Sequence, residues 1–310
     1  MTVQLPHIAA RLFETPLMID QGKLAAIVAA LGGRIVDGGL SINVSAIDHV
    51  AFSGGRPSQQ MGVVSGRLER RLEANGYQDG DILDIVRNVA AIPIEGSLVH
   101  KGAWLGSYSG DTSYQGIQAQ IGRAMRSPNV RGVVLEVDSF GGEAAGAFET
   151  AHMISQLSAV KPTLAILTDF AASAAYLLAS AARQIVMPEG GAAGSIGVVS
   201  MHADFSRQLE QEGVKVTLIS SGDHKVDGNP FEALPPEVRA RVQARNDAGR
   251  DRFAAAVGQY RGARFSKAAA LATEAQTYGG TEAMKLGLVD GIVDNPVDAF
   301  GAFVNAINRA

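Results

Sequence analysis

The chain has no cysteine among its 310 residues, which excludes a disulfide framework, a thiolate nucleophile and Cys-ligated zinc. A cysteine-free chain fits the cytosol without requiring it. An excess of either charge is also missing: 27 Lys and Arg stand against 31 Asp and Glu, for a net charge of -4. No basic cluster falls on one helical face, so nothing marks a nucleic-acid partner. The run RLERRLEANG at 67–76 alternates Arg with Glu and reads as a solvated helix face. Long apolar runs are absent too. The stretch nearest a membrane span, within 163–182, is broken by Thr168 and Asp169 and rich in alanine. The N-terminus lacks the charged-then-apolar order of a signal peptide. These absences predict a soluble, unexported protein with no membrane contact. His7, His49, His100, His152 and His202 are scattered without metal-ligand spacing, and no repeat or low-complexity tract interrupts the chain.

What is present is the profile of a tightly turned α/β protein: 46% apolar residues, 19% charged residues and 36 glycines. The length exceeds a typical domain of roughly 100–150 residues, which suggests one main domain and a smaller one. Residues 1–85 show no strand-helix rhythm. Within them GKLAAIVAALGG reads as a short helix closed by Gly32 and Gly33, and FSGGRPSQQ at 52–60 as a loop. This part is expected to be a small N-terminal lobe.

From about residue 88 the pattern changes. VAAIPIEGSLV is a β-rich run, YQGIQAQIGRAMRSPN a helix and VRGVVLEVDSFGG an apolar run ending in paired glycines. A helix at 143–158, a strand in KPTLAILTDF, a helix at 172–182 and strands in RQIVMPEG and SIGVVSM follow. A helix at 204–212 and a strand in VKVTLISSG come next. Continuous apolar strands alternating with helices predict repeated βαβ units around a parallel sheet buried on both faces. KGAWLGSYSGDTSYQG at 101–116 reads as a loop, with a lid or a subunit contact as the alternative. Ligand sites in such sheets lie beyond the carboxyl ends of the strands.

Three motifs sit where chemistry is expected. Asp138, Ser139, Phe140, Gly141 and Gly142 close a strand; glycines there expose backbone N–H groups that could hold an oxyanion, although a tight turn alone also explains them. Ser173, in AASAAY, lies among small neighbours that leave a hydroxyl uncovered; a helix N-cap is the plainer reading. No histidine lies near it, the closest in sequence being His152 and His202. Lys225, in SSGDHKVDGNP, would by itself be a surface loop lysine.

In that order, and together with GSIGV at 194–198 and YGGTEAMKLGLVDGIVD near the C-terminus, these motifs resemble the S49 peptidase family. That family comprises signal peptide peptidase A and the phage head-maturation, or capsid assembly, proteases. The resemblance covers roughly residues 88–295. The opening PHIAARLFETPLMIDQGKLAAIVAALGGRI is similar to the phage branch. The resemblance implies a ClpP/crotonase-like fold with a lobe at 1–85, a catalytic domain at 86–300 and a tail at 301–310. It also implies a Ser-Lys dyad of Ser173 and Lys225. The family's A-S-G-G-Y is altered to Ala174 and Ala175 here, and D-S-P-G-G carries Phe140 in place of proline.

The function this implies is a serine endopeptidase processing phage scaffold, major capsid and portal proteins, and its own chain as a further candidate, in the host cytoplasm or the precursor head. Gly141, Gly142 and Ala174 would supply oxyanion N–H groups. GGAAGSIGVV, with Ser195 and Gly197, would let an extended substrate lie alongside as an added strand. No cofactor or metal is needed, and relatives suggest a homo-oligomer. A lysine serves as base only when neutral. An ordinary ammonium, with a pKa of about 10.4, is neutral only about once per thousand molecules at pH 7.4, so the fold must desolvate the base. His224 with Asp138 or Asp169 is the competing base, but adjacent residues on an extended segment point apart, so His224 and Lys225 cannot both face Ser173. Other readings are a host-type cytosolic signal peptide peptidase, a crotonase-type acyl-CoA enzyme and a non-catalytic assembly protein.

Overall fold

The computed structural model describes residues 16–20, 24, 78–102, 104–108 and 110–309. In chain order these form β1 (Leu17–Ile19), α1 (Asp79–Ile82), β2 (Asp84–Val86), β3 (Val89–Val99), β4 (Ser107–Tyr108) and β5 (Asp111–Ser113). Next are α2 (Tyr114–Arg126), β6 (Gly132–Glu143), α3 (Ala147–Val160), β7 (Thr163–Ala172), α4 (Ala174–Ser180), β8 (Gln184–Met187) and β9 (Ala192–Gly194). Then come α5 (Ser206–Gln211), α6 (Pro236–Arg261), α7 (Lys267–Ala272), β10 (Thr277–Gly279), α8 (Gly280–Leu286), β11 (Gly291–Ile292) and α9 (Pro296–Arg309).

The expected parallel sheet is there. Its centre is β3, β6 and β7, paired in parallel from Val89↔Gly132 to Ile94↔Val137 and from Val133↔Thr163 to Val137↔Leu167. Strands β5, β8 and β9 extend it in parallel, and β2, β4 and β10 pair antiparallel at its margins. The apolar runs are continuous because both faces are covered. Ile92, Ile94, Leu135, Val137 and Leu167 pack into a large core that includes residues of α2, α3 and α4, whereas Val89, Val134, Leu164 and Ile166 pack with Val304 and Ile307 of α9.

Several boundaries shift for physical reasons. The helix expected at 143–158 begins only at Ala147, because β6 runs on through Glu143 with partners on both sides. The stretch 101–116 is not purely a loop, since β4 and β5 form a small antiparallel pair in it. The strand expected in SIGVVSM reduces to one bridge at Val199. The strand expected in VKVTLISSG is absent: residues 214–220 carry no ladder, and Val214, Val216, Leu218 and Ile219 are exposed. An alternating apolar pattern makes a strand only where a neighbour accepts its hydrogen bonds, and among the described residues none does. The helix expected at 22–33, the loop at 52–60 and the charged run at 67–76 lie outside the described residues, apart from Leu24.

Helix α6 is tied to the sheet by a buried ion pair. Arg261 is fully enclosed and donates through Nη1 and Nη2 to the two carboxylate oxygens of Asp290, at 2.8 and 2.9 Å. Asp290 also accepts from the Ile185 N–H at the start of β8, at 2.7 Å.

Candidate active site

Strand β7 stops where small residues allow it to turn sharply. Ala172 ends the strand, Ala174 begins α4, and Ser173 between them takes φ 55° and ψ -120°. A non-glycine residue with that backbone stores roughly 1–3 kcal/mol of strain and persists only where its surroundings enforce it. Here the Ser173 N–H donates to the Gly194 carbonyl at 2.8 Å, and the Leu177 N–H donates to the Ser173 carbonyl at 3.0 Å. The side chain makes no cap to the helix, so the N-cap reading of this serine fails. Its Oγ is buried and has no hydrogen-bond partner. Buried hydroxyls are nearly always bonded, so an orphan on a strained turn points to function. Ala174 and Ala175 adopt ordinary helical backbone with no positive φ, so alanine fits where the resembled family has glycine.

Strand β6 delivers the paired glycines to the same place. Gly141 has φ +92°, and a Cβ on it would stand 2.2 Å from the Met18 carbonyl oxygen and 3.0 Å from both the Ala174 nitrogen and the Ala172 oxygen. A side chain at 141 is thus excluded by the Met18 carbonyl of β1 and crowded by the turn that carries Ser173. Gly142 is packed as tightly on its other side, where a Cβ would fall 2.0 Å from the Leu98 carbonyl oxygen. Ser139 holds this turn: its hydroxyl donates to the Gly96 carbonyl at 2.6 Å and accepts the Gly141 N–H at 3.1 Å. Phe140 stacks on Phe170 with ring centroids 4.6 Å apart, bracing the β6 and β7 ends against each other.

GSIGV supplies the third wall. Gly194 stands opposite Ala172 in the β7–β9 ladder. Ser195 has φ 55°, is largely buried, and donates its N–H to the Gln276 carbonyl at 2.9 Å. The Gly197 N–H donates to the Ser195 carbonyl at 2.9 Å. Opposite this wall runs β1, which the sequence reading does not single out: three apolar residues are too few to show a period, and the signal is only that they are consecutive. It pairs antiparallel with the glycine end of β6, in the register Leu17↔Glu143, Met18↔Gly142 and Ile19↔Gly141.

Ser173, Gly141, Gly142, Ala174 and Ser195 therefore converge, with Gly197 next along the same wall. Lys225 does not join them. It is exposed on a run of turns, bonded through its own N–H to the Gly222 carbonyl at 3.1 Å, and makes no hydrogen bond to Ser173. His224 is exposed as well and faces Asp227 at 3.1 Å, where Arg241 also bonds Asp227. Of the acids considered with it, Asp138 has its carboxyl held above the ordinary range, first by burial and further by the nearby charge of Asp169, against a lowering hydrogen bond from the Phe170 backbone. Tyr176, three residues after Ser173, is sealed in the core with its hydroxyl donated to the Leu288 carbonyl at 2.8 Å, and burial pushes that hydroxyl far up. Among the described residues no group of His, Asp and Glu could hold a metal ion, and no helix is long and apolar enough to cross a membrane.

Comparison with known proteins adds an independent line. Residues 155–297, which include both Ser173 and Lys225, match the model of peptidase family S49. The chain is 37% identical over 304 residues to the capsid assembly protease C of Escherichia phage lambda, covering 98% of this chain and 66% of that protein. It is 39% identical over 307 residues to the head-tail preconnector protein GP5 of Enterobacteria phage P21, covering 98% of this chain and 58% of that protein. The chain thus spans less than two thirds of the length of these relatives. Among solved structures, a membrane protease from Pyrococcus horikoshii specific for a stomatin homolog is 14% identical. It covers 70% of this chain and 79% of its own, with a TM-score of 0.42.

Proposed function

Because the chain belongs to peptidase family S49, we propose that it is a serine endopeptidase with Ser173 as nucleophile and Lys225 as base, acting on the scaffold, major capsid and portal proteins of a phage head. The observation that carries this is Ser173: a buried, unbonded hydroxyl on a strained turn, walled by Gly141 and Ala174.

In this reading the Ser173 Oγ attacks the peptide carbonyl carbon while a neutral Lys225 Nζ takes its proton. The carbonyl oxygen becomes an oxyanion held by backbone N–H groups of Gly141, Gly142 and Ala174, with Ser139 giving up the Gly141 N–H to it. The C–N bond then breaks, the amine leaves with the proton from Lys225, and water attacks the acyl ester to free Ser173. The walls of the site are backbone and small side chains, so a substrate would bind as an extended strand, with Ser195 and Gly197 along one edge.

Lys225 is exposed and makes no hydrogen bond to Ser173, and in this reading a neighbouring copy supplies it. It lies close in sequence to Val214, Val216, Leu218 and Ile219, whose exposure leaves an apolar stretch for another subunit to cover. We read the active form as a homo-oligomer in which Lys225 of one copy reaches Ser173 of the next. The chain would work in the host cytoplasm, within or beside the precursor head. Co-expression with the scaffold, capsid and portal proteins, followed by mass spectrometry of the products, tests this. Defined cleavage by the wild type and none by Ser173→Ala is expected, and the same products from both would overturn it.

A further inference from the structure

The lane beside Ser173 in which a substrate strand would lie is already filled by the chain itself. Strand β7 is the partner of β6 as far as Ser139↔Ala171; it then turns at Ser173, and from Gly141 onward β1 pairs with β6 on the edge opposite β3. The other edge of β1 is paired as well: Leu17 and Val199 exchange two backbone hydrogen bonds, at 2.8 and 2.9 Å, and the Asp20 N–H donates to the Phe140 carbonyl at 3.0 Å. Residues 17–20 are therefore an extended segment held by backbone bonds on both sides, between the DSFGG turn and the segment that follows GSIGV. Leu17, Met18 and Ile19 are all buried there. The Met18 carbonyl oxygen converges with the Ala174 nitrogen on the space in front of Gly141, which is the place an oxyanion would occupy.

We propose that β1 is a resident occupant of the substrate lane, and that a peptide from another protein can bind only when residues 16–20 leave it. The use of the lane rests on the peptidase reading of Ser173; the occupancy rests on the pairing alone. A tethered strand has an effective concentration on the order of millimolar, so it excludes an incoming peptide supplied well below that level. The chain then holds its site closed until β1 is displaced, and the occupant defines what fits: an antiparallel strand with small or unbranched groups near the turn and an apolar residue on either side.

The absence of cysteine makes this testable with a reversible clamp. Leu17 and Val199 form a hydrogen-bonded antiparallel pair, whose Cα separation of about 5.5 Å suits a disulfide. In a Ser173→Ala background, Leu17→Cys with Val199→Cys is oxidised or reduced, and binding of a fluorescent peptide with the sequence of residues 14–22 is followed by anisotropy. The reduced form is expected to bind at least tenfold more tightly than the oxidised form. A Met18→Pro variant, which lacks the N–H that faces β6, should bind more tightly still. Equal binding by oxidised and reduced forms, no binding by either, or failure of the disulfide to form would overturn the proposal. The same clamp with Ser173 intact separates the two claims: binding gated by the clamp but no cleavage in any state refutes the peptidase reading and leaves the occupancy standing.

Discussion

Gly141 and Ala174 face each other so closely that a methyl group on the glycine would lie 3.0 Å from the alanine's backbone nitrogen. One comes from the end of β6 and the other from the start of α4, and the space between them is the oxyanion position of the proposed reaction. Gly141→Ala should therefore reduce peptide cleavage by about 100-fold or more, the usual consequence of spoiling one oxyanion donor. It should also destabilise the fold by about 3 kcal/mol through crowding and strain at positive φ. Steady-state kinetics and denaturant unfolding check the two effects separately.

Ser173 itself is held at a conformation that glycine adopts freely, and its hydroxyl is buried without a partner. Ser173→Gly should abolish cleavage yet stabilise the chain by about 1 kcal/mol, raising Tm by about 2–4 °C. A thermal shift in the opposite direction would show that the turn is unstrained.

The pair of Arg261 and Asp290 sets a pH dependence. Burial alone would raise the Asp290 carboxyl, but hydrogen bonds and charge from Arg261, with the Ile185 N–H and Arg264, hold it below its ordinary value. An acid whose folded pKa is depressed stabilises fully above its unfolded pKa, about 3.9, and that contribution is lost as pH falls through the folded value. Asp290→Asn should cost about 3–5 kcal/mol near neutral pH by leaving Arg261 buried and unpaired. Its unfolding free energy should fall less than that of the wild type below about pH 4. Urea titrations at several pH values test both.

Much of the sheet was legible in the sequence, because β3, β6 and β7 are covered on both faces and their apolar runs say so. The DSFGG and AASAAY turns were legible for a related reason: only small residues tolerate the approach of β6 to α4. Pairing that depends on distant partners was not. Nothing in Leu17–Ile19 announces that it lies beside Gly141, and the alternation of Val214, Val216 and Leu218 looks like a strand until its lack of a neighbour is seen. The role of Phe140 shows only in its stacking on Phe170. The exposure of Lys225 on its run of turns was hidden as well, since the sequence marks the residue and says nothing about what covers it.

The proposed pairing of Lys225 with Ser173 across copies makes a prediction for mixtures. Ser173→Ala and Lys225→Ala are each expected to be inactive alone. Mixed after dissociation and reassembly, they should recover a measurable fraction of cleavage, because some sites combine an intact serine from one copy with an intact lysine from another. No recovery, in mixtures shown by mass spectrometry to co-assemble, would place both residues of the dyad in one chain.

Intact-mass analysis after treatment with diisopropyl fluorophosphate tests whether Ser173 is a nucleophile, without knowledge of the substrate. The serine oxygen would bond to phosphorus with loss of fluoride. With β1 displaced, as in Met18→Pro, a single adduct mapped to Ser173 is expected, and none when Ser173→Ala is added. An unmodified Met18→Pro chain, or an adduct retained once Ser173→Ala is added, would show that Ser173 is not the nucleophile.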